Sequence, residues 1–70
     1  MKAKIQISMA AARVNARLTQ EDVAKRMGVS NKTIVNWENG KIIPKTAQFN
    51  MYCEVVGMSP DYILLPKSST

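Results

Sequence analysis

Between Thr19 and Pro44 the chain reads TQEDVAKRMGVSNKTIVNWENGKIIP, and the middle of this run carries amides and a lysine at helical spacing. The segment after Ser30 turns at about 100° per residue if it is a helix. With Ile34 and Trp37 inward, Lys32 and Asn36 then face directly outward, and Asn31, Thr33 and Val35 lie toward the flanks. An asparagine amide bonds bidentately to the N6 and N7 edge of adenine. A lysine donates to guanine O6 and N7 or to a phosphate, and a valine meets a thymine methyl. No acid interrupts that face, so it can approach a polyanion without like-charge repulsion. Candidate phosphate anchors flank it. Gln20 stands at the amino end of the preceding helix, where free backbone N–H groups attract an anion. Thr33 is near the start of the second helix, and Asn39, Lys41 and Lys45 follow its end, within reach of the strand beside a groove. Lys25 and Arg26 add charge but fit better as solvated surface.

These residues need two short helices joined by a tight turn, the helix-turn-helix layout that lays its second helix in the major groove of DNA. The sequence supplies one. Thr19 suits the N-cap of helix 2, and Thr19-x-x-Asp22 is a variant of the capping box. Val23, Ala24 and Met27 form the inner face of that helix. Gly28-Val29 makes the turn, and Ser30 caps a third helix that ends near Glu38 and Asn39. Helix 1 is expected over 8–16, with Met9, Ala12 or Arg13, and Ala16 on one face. Helix 4 is expected over 46–56, where Phe49, Tyr52, Cys53 and Val56 follow the i, i+3, i+4, i+7 pattern. A short helix 5 is expected from Pro60, capped by Ser59, to Leu65, carrying Tyr62, Ile63, Leu64 and Leu65. Gly28, Gly40 and Gly57 fall at helix ends, Pro66 stops the last apolar run, and 67–70 is a polar tail. No segment shows sustained period-two alternation. The expected fold is all-α, a compact five-helix bundle in a single domain over 1–66.

The totals agree. Seventy residues make one domain, and 46% apolar content argues against disorder. Ten Lys plus Arg stand against five Asp plus Glu, a net charge of +5. The pI is near 9.7, above the value of about 9 that marks nucleic-acid-binding domains. One cysteine, Cys53, and no histidine argue against a disulfide, a zinc site or any other metal site. Without histidine there is no ordinary acid–base residue near neutrality, so no enzyme is expected. Glu21, Asp22 and Asp61 sit at helix starts, where dipole and capping account for them, and Cys53 lies on an apolar stripe as a structural thiol. No cofactor or small-molecule ligand is expected. No window approaches the roughly 20 apolar residues of a membrane span, and the first residues do not form a secretory signal. The cytoplasm is the expected compartment.

Gln20, Val23-Ala24, Gly28, Ser30, Ile34, Trp37-Glu38, Gly40 and Pro44 together resemble the signature of the xenobiotic-response-element family of helix-turn-helix regulators, which includes the small repressor and Cro proteins of lambdoid phages. The spacing from Pro44 to Gly57 is similar, and Met58-Ser59-Pro60-Asp61-Tyr62-Ile63-Leu64 resembles that family's fifth-helix segment. The resemblance spans about residues 5–65. Each motif alone is weak, and the run with its spacing is strong. It implies a lambda-repressor-like domain in which Gln20 contacts phosphate or the outermost base pair, Asn31, Lys32 and Asn36 face bases, and Thr33 and Asn39 contact backbone. It also implies that Arg13 pairs with Glu38 and ties helix 1 to the end of helix 3.

The departures are informative. Thr46 stands where the family has an aliphatic residue and is expected to cap helix 4. Tyr52 replaces a leucine or isoleucine, and its hydroxyl needs a partner if buried. Asn31, Lys32 and Asn36 stand where some phage repressors have glutamines, so the resemblance locates the reading residues without naming the operator. The resemblance implies a sequence-specific, repressor-type transcriptional regulator of bacterial or phage origin. It would bind double-stranded DNA as a homodimer on half-sites about one turn apart, with an apolar seam at Ile63, Leu64 and Leu65. The rival is an antitoxin or protein-binding adapter on the same fold. An antitoxin needs an extra segment to cover its toxin, and few residues are spare outside 8–65, which favours the regulator.

Overall fold

In the computed structural model, which describes residues 5–66, four α-helices carry the chain: α1 Met9–Asn15, α2 Gln20–Met27, α3 Asn31–Glu38 and α4 Thr46–Val56. A single 3-10 turn, Pro60–Tyr62, follows. The expected tail at 67–70 lies outside the described residues.

Local chemistry sets the helix starts. Ser8 Oγ accepts from the Ala11 N–H at 3.0 Å. Ser30 Oγ accepts from the Thr33 N–H at 3.1 Å. At α2 both halves of the capping box form: Thr19 Oγ1 accepts from the Asp22 N–H at 3.0 Å, and Asp22 Oδ2 accepts from the Thr19 N–H at 2.9 Å. That bond from the Thr19 backbone, with a smaller one to its side chain, holds the exposed Asp22 carboxyl below its ordinary pKa. Thr46 does not cap α4. Lys45 occupies the N-cap and Thr46 is the first helical residue, because Gln48 Oε1 accepts from the Lys45 N–H at 2.9 Å and satisfies one end of the helix in its place.

The fifth helix is not formed. Ser59 caps as expected, accepting from the Asp61 N–H at 3.2 Å, but the helical backbone ends at Tyr62. Ile63 is extended, with φ −118° and ψ 127°. It forms a parallel bridge with Ile7, in which the Ile7 N–H donates to Tyr62 O at 2.9 Å and the Leu64 N–H donates to Ile7 O at 2.8 Å. The apolar run that looked helical is thus stretched, and Pro66 also disfavours a helical Leu65. Of its four apolar residues only Ile63 enters the core; Tyr62, Leu64 and Leu65 stay exposed.

The core is Met9, Ala12, Val23, Ala24, Ile34, Trp37, Phe49, Tyr52, Cys53, Val56 and Ile63. Ala16, Met27 and Met58 pack against it half-buried, while Met51 is exposed. α2 packs against both α3 and α4, with Val23 and Ala24 buried. Between α2 and α3, Gly28 takes φ +71°, a left-handed conformation in which a side chain is disfavoured, and the Val29 N–H closes the turn on Ala24 O at 3.0 Å.

Candidate nucleic-acid interface

Ile34 and Trp37, at 0% and 2% exposure, fix the rotation of α3. Asn31 and Lys32 are fully outward, and Thr33, Val35 and Asn36 are half-buried along the flank. Asn36 is less open than helical geometry alone predicts. Gly40, at φ +75°, turns the chain back so that the Lys41 and Ile42 N–H groups both donate to the Asn36 carbonyl, at 2.9 and 3.3 Å. One turn thereby ties the candidate base reader Asn36 to the candidate phosphate anchor Lys41. Asn39, Lys41 and Lys45 are exposed beyond it. The Thr33 hydroxyl lies 2.9 Å from that of Ser30, so the residue is tethered to the cap of its own helix.

A nearly buried carboxylate anchors the far end of α3. The Glu38 side chain is 3% exposed and the Arg13 side chain 14%. Arg13 donates through Nε to Glu38 Oε2 at 2.8 Å and through Nη2 to Oε1 at 3.1 Å. Its Nη1 donates to Leu18 O at 2.9 Å. Gln20 Nε2 donates to Glu38 Oε1 at 3.0 Å. The Tyr52 hydroxyl lies 2.6 Å from Glu38 Oε2 and 2.8 Å from Met9 O, and shares its single hydrogen between them. One acid on α3 is therefore held by arginine from α1, glutamine from α2 and tyrosine from α4. Among the described residues no buried side-chain nitrogen or oxygen lacks a partner.

The electrostatics follow from that geometry. Burial pushes the Glu38 carboxyl up, but hydrogen bonds from Arg13, Tyr52 and Gln20 outweigh it and leave the pKa below the ordinary carboxylate value. The bond to Glu38 raises the Arg13 guanidinium. Burial, and then the bond to Glu38, pushes the Tyr52 phenol well above its usual range. Burial likewise raises the Cys53 thiol. The carboxylate is thus charged, paired and withdrawn from the surface, so it does not oppose an anion approaching α3.

Gln20 is the residue whose surroundings sequence reasoning missed. Glu38 can only accept, so the Gln20 amide must present Nε2 to it. Its Oε1 and second N–H engage no group among the described residues. Two signals point to this arrangement. An acid at a helix C-terminus is unfavourable against the dipole without donors nearby, and Tyr52 brings a hydroxyl into an otherwise apolar stripe. Among the described residues no group of His, Cys, Asp and Glu can hold a metal, and no helix is long and apolar enough to cross a membrane.

A family profile described as a helix-turn-helix domain matches residues 9–68. The chain belongs to that family, as a domain of the xenobiotic-response-element type, which is a DNA-binding fold. Comparison with curated proteins and with solved structures gave no match.

Proposed function

We propose that this chain is a sequence-specific transcriptional regulator, acting as a repressor that occupies an operator in double-stranded DNA with α3 in the major groove. The observation that carries this reading is the immobilised end of α3. Glu38 is bound to α1, α2 and α4 at once, which sets the orientation of the outward face of α3. Asn31, Lys32, Val35 and Asn36 read base edges. Gln20, Thr33, Asn39, Lys41 and Lys45 hold the phosphates on either side. The protein works by stoichiometric occupancy, without catalysis or cofactor, in the cytoplasm.

One module covers few base pairs, and a homodimer on two half-sites doubles the contact. Leu64 and Leu65, each nearly half exposed, support that reading. With Asn39 and Gly40 they line an open groove of about 370 Å³ beside the end of α3. A second copy seated there would set the spacing of two recognition helices.

Selection of the purified protein from a random-duplex pool at moderate salt tests the proposal. Enrichment of a pseudo-palindrome with half-sites about one turn apart supports a dimeric regulator. Retention without sequence preference refutes it and moves a protein-binding role, as antitoxin or adapter, to first place.

A further inference from the structure

All four helices close with the same backbone bond, in which an N–H donates to the carbonyl five residues earlier: Leu18 to Arg13 at 3.2 Å, Val29 to Ala24 at 3.0 Å, Lys41 to Asn36 at 2.9 Å and Met58 to Cys53 at 3.0 Å. Each closure requires a left-handed residue just before the donor. At three of the four ends that residue is glycine: Gly28 at φ +71°, Gly40 at +75° and Gly57 at +72°. At the end of α1 it is Arg17, at φ +61°. Arginine is disfavoured in this conformation and glycine is not. The chain therefore accepts a local conformational cost at one of four equivalent turns, and only there does it place a cation.

Nothing inside the described structure accounts for that choice. Arg17 is exposed, and its guanidinium engages no acid, hydroxyl or carbonyl among the described residues. The next residue, Leu18, gives its carbonyl to Arg13, the same guanidinium that holds Glu38 at the end of α3. Thr19 then caps α2, and Gln20 reaches across to Glu38. Arg17 thus stands on the loop that is pinned to the end of the recognition helix, three residues before a candidate phosphate contact. Lys25 and Arg26, in the last turn of α2, involve no such backbone cost.

We propose that Arg17 is a phosphate anchor of the DNA interface, kept as arginine in a turn whose backbone favours glycine. This rests on the DNA-binding reading above. Arg17 binds the sugar–phosphate backbone and carries no sequence preference of its own. Because the backbone favours the very substitution that removes the charge, binding is weakened by it without a loss of stability.

The test compares wild type, Arg17→Gly, Arg17→Lys and Asn36→Ala on the duplex recovered by selection, with affinity measured from 50 to 200 mM salt and Tm recorded for each protein. Arg17→Gly should melt at the wild-type temperature or up to about 5 °C above it. It should bind about tenfold more weakly at 50 mM salt, with a log–log salt slope shallower by about 0.9. The ranking of operator variants should not change, and Arg17→Lys should retain most of the slope. Wild-type affinity and slope in Arg17→Gly would overturn the proposal; weakened binding by Asn36→Ala in the same experiment would show that the DNA-binding reading survives it. A Tm drop of more than about 5 °C in Arg17→Gly would overturn it in favour of a structural role. Failure of the wild type to bind any duplex would overturn both together.

Discussion

Arg13→Met removes the guanidinium and keeps most of the apolar stem. It deletes two charge-assisted bonds, at 2.8 and 3.1 Å, from a carboxylate whose side chain is 3% exposed, and strips Leu18 O of its donor. Removing one partner of a buried pair costs about 3–5 kcal/mol. Tyr52 and Gln20 still donate to Glu38, which places the loss at the lower end, about 3 kcal/mol, or a Tm decrease of about 15 °C for a chain of this size. Trp37, the only tryptophan, is buried beside Glu38 in sequence, so urea denaturation followed by its fluorescence reports on this region directly. The pH dependence discriminates further. In the wild type the folded pKa of Glu38 is depressed, so its contribution is present above the unfolded carboxylate pKa and is lost as pH falls through the lower folded value. In the variant burial acts with less opposition, the folded pKa rises, and protonation relieves the buried charge. The stability gap between the two proteins should therefore narrow from pH 7 to pH 4. A gap below about 1 kcal/mol at pH 7, or one constant over that range, would mean that Arg13 does not hold the Glu38 charge in the folded protein.

Other outcomes follow from the same structure. Tyr52→Phe leaves the buried Met9 carbonyl and Glu38 Oε2 without that donor, and chemical denaturation should register a loss of about 1–2 kcal/mol. Gly28→Ala places a Cβ that meets nothing within 4 Å, so the cost is backbone conformation alone, about 1–2 kcal/mol, and Gly28→Asn should cost less in the same thermal melts. On the selected duplex, Asn36→Ala should lose about 1–3 kcal/mol of binding and relax preference at one base pair, whereas Lys41→Ala should weaken all sequences alike; competition against single-base variants separates the two.

The parts of the fold that depend on neighbours in sequence were legible. Thr19, Ser30 and Ser59 are caps whose partners lie two or three residues on, whereas Ser8, which the periodicity put inside helix 1, proves to be its cap. Gly28, Gly40 and Gly57 close the turns that their backbone freedom suits. Residues 62–65 misled because their apolar pattern is compatible with a helix, while the competing partner, Ile7, is remote in sequence and pairs through backbone groups that carry no residue code. The rotation of α3 was readable from Ile34 and Trp37, and with it the exposure of Lys32. The half-burial of Asn36 was not, because it arises from the Gly40 turn folding back on its carbonyl. The resemblance implied Arg13 opposite Glu38, but the further donors Gln20 and Tyr52 converge only once α2 and α4 are packed against α3.

On the reading proposed above, DNA binds the outward face of α3 and its flanks. Amide chemical-shift mapping of the labelled protein during titration with the selected duplex tests it most directly. Shifts should concentrate at Arg17, Gln20, Asn31 to Asn36, Asn39 to Lys41 and Lys45, with little change on α4. Shifts confined to Val14, or to Tyr62 through Leu65, with α3 unmoved would contradict it.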